Sequence, residues 1–340
     1  MLNVILQDRD SAFLMEEGFS ESQKKPLPNK GMLTDWNDAK TAAFQKEILS
    51  FGHNLSETGL FTDEALISLM ERHPVDRMDV CTMGESEDPL YPNKFRTGDF
   101  RGVPGKVLLD AVKAGCVWIN LREAMNVHED YKSVLDEMYG DLAKQTGNRA
   151  FNPRGGILIS SPVARVPYHF DKTETILWHV RGKKRVFLYP QTQQFISDFD
   201  YESVVSNALE DDLPYEASFD KHAKIVDLAE GSALTWPLNS PHRVDNQSFC
   251  VSVTTEYSTK ESGMKNAAML TNATLRNRFG MDPSFEKDSA LARRVKSVAG
   301  RVLSKTSFAH DVTTVDMVTF RIDGASDNFM VDVEPFERNF

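Results

Sequence analysis

Residues 167 to 190, PYHFDKTETILWHVRGKKRVFLYP, set His169 and Asp171 two apart and Lys184 thirteen beyond the aspartate. The stretch otherwise has the composition of strands. On a strand, residues i and i+2 share a face, so one imidazole and one carboxylate reach the same ion while Phe170 points away. Two ligands do not close a site. The third candidate is His242 in WPLNSPHRVDN, where Pro237 and Pro241 bracket a turn before the last strands of this stretch. Two histidines and one carboxylate leave three coordination positions open, which suits a non-heme Fe(II) that must bind both a chelating cosubstrate and O2. A structural zinc would instead have four closed protein ligands.

Lys184 follows a turn at Gly182. An ammonium held near such a metal is what the distal carboxylate of 2-oxoglutarate needs. Taken singly, each piece has an ordinary reading: His-x-Asp as a polar pair on a strand, Lys183, Lys184 and Arg185 as a solvated basic turn. Their combination inside one all-β stretch points to a metal. Trp178, His179 and Trp236 read as core or pocket wall. His53, His73, His128, His222 and His310 lie outside the set.

The elements that must position these residues follow from hydrophobic period. After Gly147 come short alternating runs separated by turn signals: GGILISSP, ARVPYHFD, TILWHV, KKRVFLYP, then AKIVDL, SALTWP, PHRVDN and FCVSVTTEY. Such spacing predicts a sandwich or barrel. An acidic insertion at 191 to 222 interrupts them, and a connection of that length reads as a lid over the metal mouth, with Asp198, Asp200, Glu202, Glu210, Asp211 and Asp212 selecting a cationic substrate. Upstream, helical spacing is present from TDWNDAKTAAFQKEILSFGHNL onward. FTDEALISLMERHP predicts a helix capped by Thr62 with Leu66, Leu69 and Met70 inward. A polar stretch at 84 to 105 precedes a helix ending near Gly115, a strand at 117 to 121, and a helix in HEDYKSVLDEMYGDLAKQ. Downstream, a helix starting at Ser284 carries Leu291, Val295, Val298 and Val302 on one stripe. VTTVDMVTFRIDG and NFMVDVEPF read as two strands of unplaced attachment.

The organisation expected is thus an arm at 1 to 40, a helical lead-in with first strands at 41 to 147, a β core at 148 to 260, helices at 261 to 305 and strands at 306 to 340. The chain has 340 residues, 41% of them hydrophobic, and a net charge of −11, so nucleic acid and anionic membrane are disfavoured partners and a small molecule or a peptide or protein is the expected substrate. Cys81, Cys116 and Cys250 fit neither a zinc spacing nor a disulfide framework. With no run of eighteen apolar residues, they predict a cytoplasmic protein.

The segment HFDKTETILWHVRGKKRVFLYP resembles the jumonji-C and cupin-like Fe(II)/2-oxoglutarate oxygenases, in spacing the asparaginyl hydroxylase branch, and the likeness extends over roughly residues 45 to 275. The resemblance implies a mostly β fold with flanking helices, a double-stranded β-helix with helical attachments at both ends. It implies His169, Asp171 and His242 as iron ligands, Lys184 gripping 2-oxoglutarate, and Thr175 as a polar contact to that cosubstrate. Val166 stands where several relatives carry a hydroxyl residue, so Ser252, Thr254 or Tyr168 would supply that hydrogen bond. It also implies a homodimer through the C-terminal helices. The competing readings are a metal-dependent cupin isomerase, lyase or dioxygenase without 2-oxoglutarate, which Lys184 argues against, and a non-catalytic cupin-like binding module, which the complete ligand set argues against.

Overall fold

A computed structural model describes residues 31–85, 93–115, 117–206, 213–306, 308 and 316–340. The expectations for the arm before residue 31, for His310 and for the acidic cluster at 210 to 212 lie outside the described residues.

The lead-in holds α1 (Asp38–Ala43), β1 (Leu49–Gly52), α2 (Asp63–Arg72), β2 (Met78–Glu85), β3 (Asn93–Asp99), α3 (Gly105–Lys113), β4 (Trp118–Leu121), α4 (Ala124–Val127) and α5 (Glu129–Thr146). Helix α2 is as its sequence predicts: the Thr62 hydroxyl accepts from the Ala65 amide, and Leu66, Leu69 and Met70 are buried. Two elements differ. The helical spacing from residue 34 ends early, at Ala43, because Gln45 takes a φ of +63° and residues 49 to 52 pair as a strand instead. The polar stretch beginning at 84 is not a simple connection, for it contains β3, which pairs antiparallel with β2.

The second half holds β5 (Phe151–Ser160), β6 (Arg165–His169), β7 (Glu174–Arg181), β8 (Lys184–Leu188), α6 (Asp198–Val205), β9 (Lys224–Leu228), β10 (Ser232–Thr235), β11 (His242–Asn246), β12 (Cys250–Ser258), α7 (Lys260–Phe279), α8 (Ala290–Leu303), β13 (Met317–Ile322) and β14 (Met330–Glu337). Strands β5 to β12 are the eight the alternation predicts. They divide between two facing sheets, with β10, β7, β12 and β5 in one and β6, β11, β8 and β9 in the other. This is the double-stranded β-helix. The first sheet continues to ten strands in the order β1, β10, β7, β12, β5, β4, β2, β3, β13, β14. The unplaced C-terminal strands are therefore a hairpin that joins this sheet where β13 pairs parallel to β3.

Alternation on β7 separates two cores. Ile176, Trp178 and Val180 face the helices α2, α3 and α5 in the main apolar core, whereas Leu177 faces the barrel interior with Val186, Leu188, Leu234 and Val244. A third, aromatic cluster of Tyr168, Phe170, Phe187, Tyr189, Phe195, Tyr201 and Phe219 lies on the outer side of the small sheet. Helix α8 starts five residues later than its sequence suggests, capped by Ser289 rather than Ser284. It crosses α7 so closely that a Cβ on Gly300 would stand 1.7 Å from the Ala267 carbonyl oxygen. Its stripe of Leu291, Val295, Val298 and Val302 faces away from the barrel and is exposed.

Candidate metal centre

His169 ends β6 and His242 begins β11, and the two residues are cross-strand partners. Strict alternation would not achieve this. Val166 pairs with Val244 three residues before His169 pairs with His242, so β6 carries one residue more than β11 between the two pairs. This bulge lets both Val166 and His169 face inward and turns Tyr168 outward into the aromatic cluster. Asp171 follows just past the strand end. Its Oδ1 lies 3.9 Å from His169 Nε2 and its Oδ2 lies 3.7 Å from His242 Nε2. One ligand atom from each of the three residues falls within 4.8 Å of the others.

The tautomers are set by backbone. His169 Nδ1 lies 2.8 Å from the Pro167 carbonyl oxygen and His242 Nδ1 lies 3.0 Å from that of Ser240. Each Nδ1–H therefore donates to a carbonyl, which leaves each Nε2 with its lone pair toward Asp171. Burial, then the neighbouring His169, pushes His242 well below the ordinary histidine range, which keeps it neutral and able to ligate.

Lys184 opens β8 inside the barrel. The turn before it requires glycine: Gly182 has φ +92°, and a Cβ there would meet the Phe249 carbonyl oxygen at 2.1 Å. Lys184 is 3% exposed, and Nζ donates to Ser252 Oγ at 3.0 Å. The same hydroxyl lies 3.1 Å from His179 Nδ1. Lys184 is thus no solvated turn residue. Burial pushes its ammonium pKa down, and no carboxylate among the described residues is within ion-pair distance of it.

The other expected residues fall on both sides of the prediction. Thr175 is buried, its Oγ1 3.3 Å from the Thr173 carbonyl oxygen, on the inward face of β7. Thr254 lines, with His169 and Val166, a cleft of about 590 Å³. Tyr168 is excluded as a cosubstrate donor, since its hydroxyl donates outward to the Phe195 carbonyl at 2.7 Å. Trp236 packs on His242, ring centroids 4.5 Å apart.

Further cleft residues that the sequence did not single out are Arg77, Trp118, Arg122 and Glu123 from the lead-in and Arg154 and Glu256 from β5 and β12. They form a charge network, with Arg77 2.7 Å from Glu123 and Arg154 3.2 Å from Glu256. None of the described residues of the insertion lines this cleft. Its helix α6 lies behind the metal loop instead. There Tyr201 stacks on Phe170, and its hydroxyl lies 3.0 Å from Asn239 Oδ1. Asn239, at φ +63°, donates from Nδ2 to the Asp171 carbonyl at 2.9 Å and so joins the two ligand-bearing loops. An asparagine between two prolines is the one local signal for it.

The family model described as a cupin-like domain matches residues 93–263, half of the chain. No curated protein matches. Among solved structures, YcfD from Escherichia coli is similar at 13% identity, with 82% of this chain and 71% of that one covered and a TM-score of 0.46. The structure of YcfD, a ribosomal oxygenase, with cobalt and 2-oxoglutarate is similar at 13% identity, with 81% and 71% covered and a TM-score of 0.42. An oxalate decarboxylase from Bacillus subtilis is similar over 35% of this chain and 24% of its own, at 14% identity and a TM-score of 0.22.

Proposed function

The chain belongs to the cupin-like domain family, and from that premise we propose that it is an Fe(II)- and 2-oxoglutarate-dependent oxygenase that hydroxylates a peptide, protein side chain or small metabolite. The observation that carries this reading is Lys184. A buried ammonium without a counter-charge is costly, and a ligand carboxylate brought into the barrel would offset that cost. A cupin using the same metal for chemistry without a dicarboxylate has no use for it.

The donor set fits the ion. Two imidazole Nε2 atoms and one carboxylate together suit Fe(II), and three protein ligands leave room for others. With Fe(II) bound, the centre would supply O2-dependent decarboxylation of 2-oxoglutarate to succinate and CO2, coupled to oxygen insertion into a substrate C–H bond. His169, Asp171 and His242 would hold the ion from one side, with the backbone carbonyls of Pro167 and Ser240 fixing both rings. Lys184 would pair with the distal carboxylate and so aim the keto-acid end at the ion. Thr175 and Thr254 are the hydroxyls beside that path. Leu177, Val186, Leu188 and Val244 keep water out of the barrel below it.

Succinate formation by the Fe(II)-loaded protein tests this. Asp171→Ala and His242→Ala should fold, lose metal affinity by about a hundredfold or more, and form no succinate. Turnover without 2-oxoglutarate consumption would move the chain to the other cupin chemistry.

The exposed stripe of α8 recurs at spacings of four, three and four residues, as a two-helix seam does. It supports a homodimer through α8, and light scattering that gave the mass of one chain would end that reading.

A further inference from the structure

A second cavity, of about 320 Å³, adjoins the metal cleft and shares Trp118 with it as a wall. Its lining is mainly apolar: Met83, Phe95, Val117, Trp118, Val163 and Met330. Phe95 stacks flat on Trp118, ring centroids 5.1 Å apart and planes within 6°, so the dividing wall is a firm aromatic surface. Val163, at its edge, is 68% exposed, which leaves a large apolar group in water beside an apolar hollow. The two cavities also meet along one chain segment, since Val166 and His169 line the first and Ala164 and Arg165 line the second.

Resting on the oxygenase reading above, we propose that this second cavity is a substrate subsite that takes an apolar side chain of a peptide, and that the peptide runs across Trp118 to the metal. The cleft between carries Arg77, Arg122 and Arg154 against Glu123 and Glu256. A peptide crossing it keeps these ion-paired groups hydrogen-bonded through its amides. A fatty acyl chain would cover guanidinium and carboxylate groups without returning a hydrogen bond, a costly desolvation. A metabolite small enough for the metal cleft alone would leave the second cavity empty. The spacing follows from β6. Arg165 lies four residues from His169, about 13 Å at 3.3 Å per residue, and the apolar lining begins just beyond. An extended peptide covers that distance in about four or five residues, so the apolar anchor sits four or five positions from the residue oxidised.

The test uses fluorescently labelled peptides of serine and glycine with one leucine and one hydroxamate side chain, a metal chelator that fixes the register. The leucine is stepped from one to eight positions away on either side. Anisotropy with manganese-loaded protein should show affinity highest at a separation of four or five on one side, about tenfold or more above the leucine-free parent. Val163→Asp should remove that peak, and Val163→Ile should keep it. A flat profile, or a peak that survives Val163→Asp, overturns the subsite. The leucine effect is also read on metal-free protein with peptides lacking the hydroxamate, where it should persist. Failure of the oxygenase reading would appear separately, as absent succinate.

Discussion

Arg276 and Lys184 are both drawn from water, the first in part and the second almost fully, and the fold treats them in opposite ways. Arg276, where α7 meets α6, donates from Nε to Glu202 at 2.7 Å, from Nη1 to Asp282 at 2.5 Å and from Nη2 to the Pro283 carbonyl at 2.9 Å. Lys184, in the barrel, has one neutral hydroxyl for a partner. A cation that only holds two helices together is given its carboxylates in the chain itself. On the oxygenase reading proposed above, one left unpaired in the barrel receives its counter-charge from 2-oxoglutarate. On that reading, ion pairing separates scaffold from site more sharply than burial does.

The largest test of this contrast is Lys184→Met. It should weaken 2-oxoglutarate binding by about ten- to a hundredfold in titrations of the manganese-loaded protein, through loss of a charge-assisted contact worth about 1.5–3 kcal/mol. It should also raise the unliganded protein's stability by about 1–2 kcal/mol in urea, because it removes a buried charge with no partner. A destabilised variant would mean that Lys184 is paired after all. The mirror change, Glu202→Gln, should do the reverse. It should cost about 2 kcal/mol of stability, below the full value for a sealed pair because the Arg276 side chain is 23% exposed, and leave 2-oxoglutarate affinity unchanged.

The smallest expected difference between wild type and Lys184→Met is in the pH dependence. Burial pushes His179 and His53 down to about 4, and the Lys184 ammonium adds to the shift of His179. Both histidines stay neutral in the fold while the unfolded chain protonates near 6.5. The stability they contribute is therefore complete above about pH 6.5 and is lost as pH falls towards 4, by about 2 kcal/mol for each by pH 5. In Lys184→Met the part due to His179 should shrink, since the like charge beside it is gone. Thermal melts from pH 7 to 5 on both proteins read the difference.

Much of this was legible in order of residues alone. The eight barrel strands follow from alternation, and the gathering of His169, Asp171 and His242 from residue type and spacing, while Lys184 is buried rather than solvated. What escaped has a common cause, partners distant in sequence. Strand β3 lies in a polar stretch and gains its second neighbour from β13, more than two hundred residues later. The cleft draws Arg77, Trp118 and Arg122 from elements whose own pattern speaks only of packing. The insertion was read as a lid from its length and charge, yet its aromatic residues, Phe195 and Tyr201 among them, were the better guide, since they bury against the small sheet and the loop after His169.

The extra residue of β6 makes the site sensitive to length rather than only to side-chain identity. Substitutions among 165 to 168 leave the count unchanged, and drift there is tolerable so long as it holds. Loss of one residue would let the strand pair regularly and rotate its neighbours by half a turn, a frame error in three dimensions, even with both histidines and the aspartate intact. Homologues would accordingly be told apart at this centre by gaps as much as by letters. A Pro167 deletion that still bound metal would show that the loop before Asp171 can absorb the slip.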